Sequence, residues 1–211
     1  MSDPISIHRP AGPATALMLL FHGAGSTPQN MVPIGQRLAA EFPGAAIFSV
    51  PSPDVSDMGS GYQWFSVRGI TEDNRAERIA ATMPRFAATV RSLQTLTGTT
   101  AEQTVLIGFS QGAIMSLEST LLEEALAGRI VSFAGRFAQL PSHAAHDAAL
   151  HFIHGRNDPV IAVGHALAAA ERLTQLGAEV TVDLIPGLGH GINRAAEDAM
   201  VARLRAEPPQ T

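Results

Sequence analysis

The sequence predicts an α/β fold, a mostly parallel sheet with helices on both faces. Three observations carry that expectation. Short apolar runs alternate with longer stretches at helical spacing along the 211 residues. Glycine- and proline-rich loops holding reactive side chains follow several of those runs. And Thr104 to Gly112, T-V-L-I-G-F-S-Q-G, reads as a buried strand entering a sharp turn and then a helix.

The elements follow in order. Ile5 to His8 is a short edge strand, and Arg9 to Pro13 turns the chain. Thr15 to Phe21 is a buried strand that leads into the loop His22-Gly23-Ala24-Gly25-Ser26. Pro28 to Phe42 reads as a helix, with Thr27 as its cap and Pro28 at its first position. Ala45 to Val50 is the next strand. Pro51 to Thr71 shows neither period and holds Tyr62-Gln63-Trp64-Phe65, and so long a loop in a compact fold is usually functional. A helix from Glu72 to about Leu96 is capped by Thr71, with Glu72 and Asp73 suited to its positive end. Pro84 is expected to kink or split it.

After the strand and helix around Gly108, Ile130 to Ala134 and Ala149 to His154 read as further strands. Gly135 to His146 is the loop between them. The second of these strands ends in Gly155-Arg156-Asn157-Asp158-Pro159. Ile161 to Leu176 is a helix closed by Gly177, and Val180 to Ile185 is the last strand. The loop Pro186 to Gly191 leads to a final helix, about Ile192 to Leu204, and a proline-containing tail. No repeat, linker or low-complexity stretch divides the chain, so residues 1–211 are read as one domain.

Composition excludes several classes of function. Net charge is −5 without blocks of like charge, which argues against a nucleic-acid partner. Hydrophobic content is 45%, yet no apolar stretch approaches the ~18 residues of a membrane span, so no stable membrane insertion is expected. The chain has no cysteine, which removes disulfides, a thiol nucleophile and thiolate metal sites. Met1 to Pro13 lacks the basic and apolar regions of a signal peptide, so the expected location is cytoplasmic.

The chemistry concentrates at the carboxyl ends of the strands. Gly108, Ser110 and Gly112 spell G-x-S-x-G, where a serine at a strained turn needs small neighbours two residues away on each side. Ser110, Asp158 and His190 occur in the chain order of an α/β-hydrolase triad, each after its own strand. A serine hydroxyl is a weak nucleophile at neutral pH; His190 would take its proton and Asp158 would fix the histidine tautomer. The amides of Gln111 and Ala24 would form the oxyanion hole. Trp64 or Phe65, with Met58, would wall the acyl pocket. Arg136 would hold the Pro51–Thr71 loop or bind an acidic group of the substrate. Asp158 could instead cap the helix that Pro159 starts, and His190 could be an ordinary loop histidine. His22 reads as a structural histidine. His143, His146, Asp147, His151 and His154 do not make a metal site, because residues three apart on a strand point to opposite faces.

The chain resembles the bacterial carboxylesterases of the phospholipase/carboxylesterase family, which are related to acyl-protein thioesterases. The resemblance rests on F-H-G-A-G-S at Phe21–Ser26, G-F-S-Q-G at Gly108–Gly112, H-G-R-N-D-P-V at His154–Val160 and G-L-G-H-G-I at Gly187–Ile192. W-F-S-V-x-G-I-T-E-D-N-R at Trp64–Arg75 is similar to a branch of small bacterial esterases. It implies an α/β-hydrolase fold and hydrolysis of short- to medium-chain acyl esters through an acyl-enzyme, without metal or cofactor. The substrate would be a small-molecule ester and the enzyme a monomer or homodimer. Gly112-Ala113 departs from the Gly-Gly that acyl-protein thioesterases carry there, which counts against protein depalmitoylation more than against ester hydrolysis. A thioesterase and a non-catalytic binding module on the same fold are the competing readings.

Overall fold

A computed structural model of the chain describes residues 3–143 and 148–206. Its centre is a seven-stranded sheet built from β1 (Ile5–His8), β2 (Ala16–Phe21), β3 (Ala45–Val50), β6 (Thr104–Phe109), β7 (Arg129–Phe133), β8 (Ala149–Gly155) and β9 (Val180–Ile185). The spatial order is β1-β3-β2-β6-β7-β8-β9. Only β1 runs antiparallel to its neighbour; every other pair is parallel.

Side-chain alternation along each strand feeds two cores. Leu17, Leu19 and Phe21 of β2 face α2 (Glu72–Thr97), α3 (Gln111–Glu118) and α4 (Gly164–Gln175). Met18 and Leu20 face α1 (Val32–Glu41) and α5 (Arg194–Arg205). Burial on both faces explains why the central strands are continuous apolar runs rather than alternating ones. The strand order reverses between β2 and β6, and a crevice opens at such a switch point, beyond the carboxyl ends of the strands.

Three local expectations are corrected. Residues 28–42 are not one helix: Pro28–Met31 form a 3-10 turn and α1 begins at Val32, with no capping bond from Thr27. Pro33 supplies the reason, since a residue without an N–H fits the first turn of a helix but not its interior. Pro84 does not split α2, which is assigned without a break from Glu72 to Thr97. The buried residues on either side, Met83, Phe86 and Ala87, pack into the core and offset one missing hydrogen bond. The loop after β3 contains a small hairpin, β4 (Asp54–Val55) with β5 (Tyr62–Gln63). The capping of α2 is as expected at Thr71, reciprocated by Asn74: Thr71 N–H donates to Asn74 Oδ1 at 2.8 Å and Asn74 N–H to Thr71 Oγ1 at 3.4 Å.

Candidate active site

Ser110 stands between β6 and α3 with φ 52° and ψ −114°, a backbone conformation that side chains other than glycine rarely adopt. Its neighbours explain how the turn closes. A Cβ at Gly108 would collide with the backbone of Ala113, and one at Gly112 with the carbonyl of Phe21. The turn is held to the sheet by Ser110 N–H, which donates to Phe133 O at 2.9 Å.

His190 reaches Ser110 from the other half of the sheet. The loop carrying it is fastened to the end of β8, where Asn157 N–H donates to Leu188 O and Arg156 N–H to Ile185 O. His190 Nε2 lies 3.0 Å from Ser110 Oγ, and Nδ1 lies 2.8 Å from Asp158 Oδ2. A carboxylate can only accept, so Nδ1 carries the proton and Nε2 is free to accept from the serine hydroxyl. The ring also packs against Phe109, centroids 5.1 Å apart.

Asp158 is locked by three donors. Oδ1 accepts from Val160 N–H and Ile161 N–H at 2.8 and 3.0 Å. Oδ2 accepts from His190 and lies 3.2 Å from His154 Nε2, whose proton goes to Ile161 O at 2.8 Å. Burial pushes the carboxyl pKa up, but the bonds from His190, Ile161 and Val160 outweigh it and hold the group below its ordinary range. The two readings of Asp158 thus merge, for it makes a local turn with one oxygen and holds His190 with the other; α4 itself starts only at Gly164.

The loop after β2 supplies the opposite wall. Gly25 N–H donates to Tyr62 O and Ser26 N–H to Gly23 O, whereas Ala24 N–H meets no backbone acceptor among the described residues. Gln111 is the first residue of α3, so its N–H has no carbonyl one turn earlier in the helix. Ala24 and Gln111 both line the cleft with Ser110, the arrangement that two oxyanion donors require. His22 sits behind this loop, its Nδ1 2.8 Å from Gly23 O and its Nε2 accepting from Ser52 N–H at 3.2 Å.

The cleft has a volume of about 490 Å³. Phe65, Met58 and Arg136 line it, as does His190. Trp64 does not, which corrects the expectation that it could wall the pocket. Its indole is buried against Phe21 and Phe86, and Nε1–H donates to His22 O at 3.1 Å. Both side chains are buried in the core on that face of the sheet, and Phe65 also borders the cleft. The side chain of Gln111 ties this segment down, accepting from Trp64 N–H at 2.8 Å and donating to Phe65 O at 2.6 Å.

Sequence reasoning missed several participants: the Gln111 side chain, His154 behind Asp158, and Arg75, Val160, Ile161 and His165 in the cleft wall. The signal for His154 was its spacing four residues before Asp158; that for Arg75 was its place in the Trp64–Arg75 motif. His143 makes a local contact with Ser142, while His146 and Asp147 lie outside the described residues, as do residues 144 and 145 of the loop read as Gly135–His146. Among the described residues no group of three His, Cys, Asp or Glu is placed to hold a metal, and no helix is long and apolar enough to cross a membrane.

A serine on a strained strand-to-helix turn, bonded through histidine to a buried aspartate at the switch point of a parallel sheet, defines the class of the α/β hydrolases. The chain belongs to the phospholipase/carboxylesterase family, which it matches over residues 3–203. It is 46% identical over 208 residues to esterase YpfH of Escherichia coli, covering 99% of this chain and 90% of that one. Acyl-protein thioesterase 1 of Gibberella zeae is 32% identical over 120 residues, 53% of this chain and 51% of its own. Among solved structures, esterase PE8 superposes with a TM-score of 0.86 at 28% identity, over 97% of this chain and 99% of that one. A carboxylesterase from Mesorhizobium loti shares the fold at TM-score 0.79 and 21% identity, over 92% and 90%. The protein is a carboxylic ester hydrolase, with the thioesterases as more distant relatives.

Proposed function

We propose that the enzyme hydrolyses short- to medium-chain acyl esters by way of an acyl-enzyme on Ser110. The observation that carries this reading is the continuous chain from Ser110 Oγ to His190 Nε2, 3.0 Å, and from His190 Nδ1 to Asp158, 2.8 Å. Ser110 Oγ attacks the ester carbonyl while His190 takes its proton. Charge developing on the carbonyl oxygen is met by the amides of Ala24 and Gln111. His190 then protonates the departing alcohol, and a water that it deprotonates cleaves the acyl-enzyme. Asp158 stays ionised throughout and stabilises the imidazolium.

The cleft size and the Phe65 side of its wall support an acyl chain of modest length, in keeping with a small-molecule ester. The chain works as one domain, a monomer or homodimer in the cytoplasm, without metal or cofactor; the lack of cysteine suits a reducing compartment. Rapid mixing with a p-nitrophenyl ester should show a burst of nitrophenol equal to the enzyme present. A fluorophosphonate should label Ser110. Ser110→Ala should lose several orders of magnitude in turnover while keeping the wild-type melting profile. Labelling at a different serine, or turnover retained in the variant, would reject the mechanism.

A further inference from the structure

Among the described residues the active-site cleft is lined by two arginines, Arg75 and Arg136, and by no Asp or Glu. The nearest carboxylate on their network is Glu72, which serves both arginines. Glu72 Oε1 accepts from Arg75 at 3.1 Å and from Arg136 at 3.0 Å, and Oε2 accepts from Arg136 at 2.7 Å. Glu118 also lies in the field of Arg136, and Asp158 sits behind His190, so what distinguishes the wall is a particular guanidinium rather than its net charge.

The two arginines differ in what they have left to offer. Arg136 is buried and all its donors are engaged, with Phe137 O, Ala138 O, both oxygens of Glu72 and His165. It fastens the start of α2 to the loop after β7 and has no N–H for a ligand. Among the described residues the Arg75 side chain makes a single hydrogen bond, to Glu72. Its Nε is buried without a partner, and its remaining terminal nitrogen bonds to none of the described residues.

The position of Arg75 is otherwise unfavourable. It lies in the first turns of α2, where the helix dipole disfavours a cation. Arg78, in the same region, has a structural reason: it donates to the carbonyls of Ser66, Arg68 and Gly69 and so holds the preceding loop. Arg75 holds no such carbonyl.

His165 adds a second donor on the same network. An arginine nitrogen can only donate, so His165 Nε2, 3.3 Å from Arg136, is the acceptor and the ring proton sits on Nδ1. Burial and the charge of Arg136 lower the His165 pKa, which keeps the ring in that neutral form. His165 also lines the cleft.

We propose that Arg75, seconded by His165, forms an anion subsite in this cleft, and that the preferred substrates are esters carrying a carboxylate near the scissile bond. This deepens the esterase reading and rests on it. Ser110 chemistry is unchanged; the subsite selects which ester is presented. A guanidinium only 17% exposed attracts a carboxylate better than the same charge free in water.

Two matched pairs test it. p-Nitrophenyl hemiadipate against p-nitrophenyl hexanoate places the charge on the acyl side, and 4-acetoxybenzoate against 4-tolyl acetate places it on the alcohol side. At low ionic strength one anionic member should be preferred in kcat/KM. Raising the salt should erode the preference. Arg75→Gln should lower the anionic-to-neutral ratio about tenfold, the scale of one lost charge-assisted hydrogen bond. The pair that responds tells which side of the ester carries the charge. Neutral esters preferred in both pairs, or a ratio untouched by both salt and substitution, would overturn the proposal. Calorimetric titration with adipate reads the subsite without turnover: binding weakened about tenfold by Arg75→Gln supports it, and no binding to the wild type counts against it. If no ester is turned over and Ser110 is not labelled, it is the esterase mechanism that fails, and the adipate titration still decides the subsite.

Discussion

The side-chain amide of Gln111 donates to the carbonyl of Phe65 at 2.6 Å. Its oxygen accepts the neighbouring Trp64 N–H at 2.8 Å, so the residue after the nucleophile clamps the segment that walls the cleft. In the proposed mechanism the same residue offers its backbone N–H to the oxyanion. One side chain would therefore couple the position of that donor to the position of the pocket wall.

Gln111→Ala should test that coupling. It would leave the Trp64 N–H and Phe65 carbonyl without their partner in a buried place, each at a cost of about 1–3 kcal/mol. The melting temperature should fall by several degrees. kcat/KM should fall for every ester, since the amide of residue 111 and the wall move together. Full activity at low temperature with only reduced stability would show that the clamp has no part in setting the oxyanion hole.

Asp158→Asn should keep the fold, because the Val160 and Ile161 amides still find the side-chain oxygen. The amide nitrogen cannot accept from His190 Nδ1, so the ring loses the tautomer that leaves Nε2 free. Turnover should drop on the order of 10³–10⁴-fold. Turnover retained in Asp158→Asn would be incompatible with this role.

Phe65 and Trp64 should separate cleanly. Phe65→Ala should weaken longer acyl esters more than acetate, by up to ~0.8 kcal/mol for each methylene no longer covered. Trp64→Ala should show as instability of about 3–5 kcal/mol, since it removes an indole packed between Phe21 and Phe86. A selective loss of long-chain turnover in Trp64→Ala, with normal stability, would reverse the assignment.

Stability should decline in acid in two stages. Burial, helped by Arg129 and Arg203, lowers the His151 pKa to about 4 from 6.5. The unfolded chain therefore binds more protons between those values, so this stabilisation is complete above pH 6.5 and lost as pH falls toward 4. His22 and His165 shift in the same direction, chiefly through burial. Below that range, the Arg136 guanidinium holds the Glu72 pKa at about 2 against 4.5, so the pair's contribution is present above 4.5 and disappears on approach to 2. His151→Gln should remove on the order of 2 kcal/mol of the pH dependence between 6.5 and 4, read by urea denaturation across that range. An unchanged slope would mean that His151 is not charged on unfolding.

That Ser110, Asp158 and His190 sit near strand ends was legible in the chain because local chemistry dictates it. Gly108 and Gly112 permit the turn that exposes Ser110, and apolar runs before Ser110, Asp158 and His190 place each at a strand end. The cap of α2 at Thr71 was legible for the same reason, since both partners lie within four residues. The start of α1 was misjudged because two prolines competed for the first turn, and only the packing of Met31 and Ile34 against the sheet decides between them.

The sequence by itself determined the alternation of strands and helices, the parallel sheet and the order of the reactive residues. Those depend on periodicity and on backbone sterics, which act between near neighbours. Tertiary structure alone decided which of Trp64 and Phe65 faces the cleft, because a segment without a period takes its orientation from the long-range bonds of Gln111. It also brought together the charged groups of the cleft wall. Glu72, Arg75, Arg136 and His165 come from α2, the loop after β7 and α4, and electrostatic interaction falls off with distance in space rather than along the chain.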